Sequence, residues 1–290
     1  MSAVIPATTR PVSKPGHGLN WVRRNPTIVI GSSILAGFVM VALLAPVFAP
    51  DPLGFDPLFR LKPPSADFWF GTDQLGRDVY SRVVHGTRVS LIVGSSVAAI
   101  AISLGLLIGL LCGYYRRVDD IVMRMMDGLM AIPAILLAIA LITLMKASLL
   151  IVVVAISIPE IPRVVRLVRS VVLSVRELPY IDAAIASGTR NRLIMLRHIL
   201  PSTWAPLIVQ ATYVCASAIL TEAGLSFLGA GTPPEIPSWG NVIASGRTYF
   251  QISPWIIFFP GLMLALAVLA INLVGDGLRD SLDPRIARRL

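Results

Sequence analysis

The stretch Arg163 to Pro201 reads RVVRLVRSVVLSVRELPYIDAAIASGTRNRLIMLRHILP and lies between long apolar segments. It holds seven arginines and two acids. Charged side chains are expensive in hydrocarbon, so a segment this rich in cations must lie in water on one side of a bilayer. Pro179 suits the first turn of a short helix, and Gly188 suits its end. Between them Asp182, Ala183 and Ala184 leave room for another backbone to approach, and Ile181 and Ile185 fall four apart, on one face. A second helix is expected over about 191–200, with Leu193, Leu196 and Leu200 on one stripe. Pro201 is expected to close it and redirect the chain into the next apolar segment. Two short helices at an angle, at the membrane surface, suit insertion into a groove of a partner protein.

Composition sets the solvent. Only 14% of the 290 residues are charged and the mean hydropathy is +0.77, against roughly 25% charged for a soluble domain. The chain therefore reads as a polytopic membrane protein. Its net charge of +9 does not indicate nucleic acid, because the cations sit in loops between apolar spans rather than on one face of a soluble domain. Cys112 and Cys215 lie in apolar segments without metal-ligand spacing and read as buried small side chains.

Six segments are expected to cross about 30 Å of hydrocarbon as helices: roughly 27–49, 89–113, 121–145 with Pro133 inside it, the short 148–161, 204–228 and 254–278. The third and fourth meet at Lys146-Ala147 and read as a tight hairpin. With the N-terminus inside, 18 of the 25 lysines and arginines fall on inner segments, so both termini and the 163–203 loop are expected to be cytoplasmic. The fold expected is all-α, polytopic, N-in and C-in. Its parts are a tail over 1–26, a first helix and external loop over 27–87, a core over 88–279 and a tail over 280–290. Pro50 follows the only plausible cleavage site, at Ala49, so the first span reads as an uncleaved anchor.

Asp182-Ala183-Ala184, then Gly188, then Leu200-Pro201 resembles the EAA loop of bacterial ABC importer permeases. Asp182 stands where that family often has Glu. His198 occupies the position of a common Ile, and Arg197 to Pro201 looks like the variant of peptide-type permeases. Phe70-Gly71-Thr72-Asp73-Gln74-Leu75-Gly76-Arg77-Asp78 and Glu222-Ala223-Gly224-Leu225-Ser226-Phe227-Leu228-Gly229 are similar to stretches of the C-type permeases of dipeptide and oligopeptide importers. The resemblance spans about residues 20–285. It implies the type I (MetI-like) permease fold in the bacterial inner membrane. Asp182, Ala183, Ala184, Gly188, His198, Leu200 and Pro201 would then couple to an ATPase. The implied partners are a second six-helix permease, two ATP-binding subunits that use ATP and Mg, an external solute-binding protein and the bilayer. Cargo would be di- or oligopeptide; nickel, glutathione or another small solute is the alternative.

Other residues carry narrower expectations. Gly71, Thr72, Asp73, Gly76, Arg77 and Asp78 mark the external loop, with Thr72 or Asp73 capping a helix and Arg77 pairing with Asp78 or forming a docking surface. Asp73 and Asp78 lack the spacing of a calcium loop. Glu222 is an acid inside a span near its outer end, either touching cargo or pairing structurally, with hydration or a neighbouring subunit as its expected surroundings. Glu160 should pair with Arg163 three residues on. Gly94, Ser95, Ser96, Gly105 and Gly109 should permit close helix packing. His198 reads as a packing or hydrogen-bonding residue, and all three histidines fall in tails or loops, which disfavours an intramembrane enzyme. No lysine follows a glycine, so no P-loop exists. Scarce charge inside the spans disfavours a self-sufficient carrier. Energy should arrive from a separate ATPase.

Overall fold

The computed structural model describes residues 25–282 apart from Phe55 and Ala147. The expected tails, with seven of the cations counted above, lie almost wholly outside the described residues. Regular structure among the described residues is helical, with one isolated bridge between Thr72 and Asp78. The helices are α1 (Pro26–Phe48), α2 (Val79–Tyr114), α3 (Arg116–Ala131), α4 (Ala134–Met145), α5 (Leu149–Arg176), α6 (Pro179–Ala186), α7 (Asn191–Phe227), α8 (Trp239–Gly246) and α9 (Trp255–Leu282).

The central pair is α2 with α5. Gly105, Gly109 and Gly113 recur every four residues on α2, and Val164, Val168 and Val172 recur every four on α5, so each set forms one stripe. A Cβ on any of the three glycines would lie 2.5–2.6 Å from the Cβ of its valine. The missing side chains therefore set the interaxial distance, as small residues do where lipid gives helices no hydrophobic reason to associate. The valines are buried, together with Val165 and Val175.

That packing corrects the expected fourth span. The helix does not stop near Ile161; it runs 28 residues to Arg176, about 42 Å at 1.5 Å per residue. The arginines from Arg163 on ride its outer faces while the valines stay inside, so the polar stretch begins as helix rather than loop. The expected third span is also not straight. Pro133 lacks the N–H a helix needs, and α3 and α4 meet there at 88°. Among the described residues four helices (α1, α2, α7 and α9) are long and apolar enough to span, or five if the bent α3–α4 pair counts as one, where six were expected. Glu160, Arg163, Arg166 and Arg169 interrupt the apolar run of α5.

Pro201 does not close a helix either. Residues Ile194–Ile199 widen into a π turn, and the helix carries through Pro201 to Phe227. Pro201 cannot donate to the Arg197 carbonyl four residues back, and the wider i→i+5 turn before it absorbs the mismatch. Between α4 and α5, Lys146 takes a left-handed φ of +63°. Ser148 then caps α5, accepting a hydrogen bond from Ile151 N–H at 3.3 Å.

Candidate functional site

α6 begins with Pro179 in its first turn and ends in a Schellman motif. Thr189 N–H donates to Ala184 O at 3.1 Å and Gly188 N–H to Ile185 O at 2.9 Å. Gly188 takes φ +75° there, in the region a Cβ penalises. Asp182, Ala183 and Gly188 are exposed and Ala184 is half-buried. Only one of the two isoleucines expected to share a face is inside: Ile181 is 1% exposed and Ile185 55%. The leucine stripe expected beyond it is corrected likewise. Leu193 and Leu196 face outward, while Ile194 and Ile199 fill the core beneath. Leu178, Tyr180, Ile185, Leu193 and Leu196 thus form exposed apolar surface around the hairpin. Half-buried His198 has its ring 6.3 Å from that of Tyr180. Leu200 is half-buried and Pro201 exposed.

α5, which leads into the hairpin, is tied to the bundle by arginines, three of which have partners distant in sequence. Arg176 donates to the Gly113 and Tyr114 carbonyls, both at 3.0 Å, and so caps the end of α2. Arg169 holds Asp119 of α3 with two nitrogens, Nη2 at 2.6 Å from Oδ2. Arg166 reaches Asp127 at 2.6 Å. Arg163 pairs with Glu160 at 3.1 Å, as its spacing suggests. Tyr114 Oη donates to Asn191 Oδ1 at 2.9 Å. Four of the seven arginines are therefore structural, which counting charge could not reveal.

At the other end of α2 the loop over residues 70–78 is built around Asp73, fully buried. Its Oδ2 accepts from Arg77 Nε at 2.7 Å and Arg82 Nη1 at 2.8 Å, and its Oδ1 from the N–H groups of Leu75 and Arg77. Arg77 thus pairs with Asp73 and not with Asp78. The helix cap is neither Thr72 nor Asp73 but Asp78, which accepts from Tyr80 and Ser81 N–H. Burial pushes the Asp78 carboxyl above its ordinary range, against those two hydrogen bonds. Gly71 and Gly76 have positive φ, and a Cβ on Gly76 would sit 1.8 Å from Asp56 O. Thr72 O accepts from Trp255 Nε1 at 3.2 Å, joining the loop to α9. His85 lies inside α2 rather than in a loop.

Glu222 is 1% exposed; it neither faces water nor waits at the surface for a neighbouring subunit. Its Oε1 accepts from the hydroxyls of Ser226, Thr232 and Ser238 at 2.8, 3.2 and 2.8 Å. Its partners are thus within the chain, on α7, the following turn and the cap of α8. Asn241 Nδ2 closes that turn on the carbonyls of Thr232, Pro233 and Ile236. Gly240 lets α8 approach: a Cβ there would be 2.6 Å from Ala223 Cα. Trp239, in the Pro237-Ser238-Trp239-Gly240 run that carries part of the resemblance but to which the sequence assigns no role, is fully buried, donates Nε1 to Val83 O at 3.1 Å and stacks edge-on with Phe38.

The family model described as binding-protein-dependent transport system inner membrane component matches residues 105–288. The chain is 57% identical over 267 residues, 92% of each chain, to a probable peptide ABC transporter permease protein of Sinorhizobium fredii. It is 42% identical to the dipeptide transport system permease protein DppC of Alkalihalophilus pseudofirmus, over 91% of this chain and 88% of that one. Its fold is similar to the MetNI methionine ABC transporter in inward facing conformations, at a TM-score of 0.56 and 19% identity, over 70% of this chain and 96% of that chain. By that family model and these relatives, the chain belongs to the inner membrane components of binding-protein-dependent transport systems, the permease subunits of ABC importers.

Proposed function

We propose that this chain is one of two six-span permease subunits of an importer that carries di- or oligopeptides handed over by an external solute-binding protein. The bent α3–α4 pair supplies the fifth crossing and α5, anchored by its first turns in the bilayer, the sixth, and both termini are cytoplasmic. Two ATP-binding subunits use ATP and Mg and drive the cycle; this chain supplies the surface on which they act. The observation that carries the reading is the exposed α6 hairpin, with Leu178, Tyr180, Ile185, Leu193 and Leu196 uncovered around Asp182 and Gly188. An amphipathic turn of this size suits a groove in another protein. Closure of the ATP-binding subunits would move α6 and switch the pathway between its two openings. The peptide cargo rests on the names of the relatives.

The test is uptake of a labelled dipeptide by cells carrying the whole transporter. Gly188→Trp and Asp182→Lys should each abolish uptake while the chain still inserts and is recovered with its partner permease. Uptake that survives both substitutions overturns the coupling role. Uptake lost only for nickel overturns the cargo.

A further inference from the structure

Two cavities meet beside the end of α1. The first, about 330 Å³, is apolar and lies between α1 and α2, walled by Phe38, Val41, Leu44, Val83 and Val84 with Met263 of α9 behind. The second, about 200 Å³, is lined by Pro50, Asp67, Trp69 and Asp78. Phe48 and Tyr80 belong to both. The junction lies where the apolar run of α1 ends, at Phe48, so the apolar cavity is at hydrocarbon depth and the polar one at the level of headgroups. The same flank of the chain is exposed and apolar, with Met40, Leu43, Val47 and Phe48 uncovered.

The polar cavity has a definite charge. Asp67 and Asp78 line it, no lining residue is a cation, and neither carboxylate has an ion-pair partner among the described residues. Beside them stand two electron-rich rings, Trp69 and Tyr80, with centroids 5.0 Å apart. Carboxylates next to aromatic faces favour an ammonium group, and an anionic headgroup would meet repulsion there. We infer that these joined cavities form a binding site for a phospholipid with a primary-amine headgroup, its acyl chain along Phe38, Leu44 and Val84 and its ammonium between Asp67, Asp78 and the Trp69–Tyr80 pair. The site depends on neither the cargo nor the coupling hairpin.

Native mass spectrometry of the detergent-purified complete transporter tests this, after exchange with equal amounts of phosphatidylethanolamine and phosphatidylglycerol of the same acyl chains. Phosphatidylethanolamine should be retained about tenfold over phosphatidylglycerol. Val84→Trp, which fills the apolar cavity, should release it. Asp67→Asn, at an exposed position that leaves the fold alone, should bring the ratio close to one. Equal retention of the two lipids by the unmodified transporter overturns the inference. So does a ratio that Asp67→Asn leaves unchanged, or a photo-crosslink from Leu44 that captures a second permease instead of lipid.

Discussion

Gly109 of α2 and Val168 of α5 touch so closely that a Cβ on the glycine would lie 2.6 Å from the valine's Cβ. Neither chain segment can yield, because the neighbouring contacts at Gly105 and Gly113 are equally tight. Gly109→Val should lower stability by about 1–3 kcal/mol or more through overpacking. The check is the thermal midpoint of the detergent-solubilised transporter. Val168→Ala in the same chain should recover part of the loss, since it removes the opposing methyls.

Asp73 is the only carboxylate that the buried Arg82 contacts within ion-pair distance among the described residues. Asp73→Ala would leave that guanidinium uncompensated, at a cost of about 3–5 kcal/mol. The expected outcome is loss of folded protein in the membrane fraction, read by yield and protease resistance, rather than assembled transporter with lowered uptake.

Glu222 gathers three hydroxyls on one oxygen. Glu222→Ala would orphan them at about 1–3 kcal/mol for each group left unsatisfied. Glu222→Gln retains an acceptor and should be markedly milder. A thermal midpoint for Gln that falls as far as that for Ala would show that the negative charge, not the acceptor, holds the turn.

At Gly188 the backbone conformation, not space, is the constraint: no atom lies within 4 Å of a built Cβ. Gly188→Asn, which tolerates the left-handed region, should keep more uptake than Gly188→Val, where the strain is about 1–2 kcal/mol. Equal uptake by the two variants would remove the Schellman turn from the account.

Asp78 gives a pH dependence of known sign. Its carboxyl protonates more readily in the folded chain than unfolded. Its contribution therefore favours the fold below the ordinary carboxylate range and is lost as the pH rises through the raised value. Asp78→Asn, a neutral cap at every pH, should flatten that part of the profile. The measurement is the midpoint of thermal unfolding between about pH 4 and 7.

Much of this was readable from residues alone. Pro179 and Gly188 announced α6, because each has a conformation few other residues share. The apolar runs announced α1, α2, α7 and α9. What stayed hidden depended on contacts distant in sequence. Nothing local says that Arg176 will cap α2, or that Arg169 will find Asp119. The expected end of a span at Ile161 failed because hydropathy weighs Arg163, Arg166 and Arg169 equally with the valines between them, whereas on a helix they occupy different faces. Pro201 misled for the opposite reason: a π turn compensates a proline through backbone geometry, which leaves no mark in side-chain pattern. At Glu222 the acid was legible but not the three hydroxyls, since Thr232 and Ser238 reach it only once the turn after α7 folds back.

The guanidinium of Arg176 fastens the tip of α5 to the last carbonyls of α2, just below the three glycine–valine contacts. Fixed at several points along their length, the two behave as the rails of one rigid frame. On the proposed coupling role, torque received beside Pro179 would not bend one rail alone. It would arrive as a tilt at the Asp78 end, a full 36-residue helix away, where the buried Asp73–Arg82 pair would serve as the bearing.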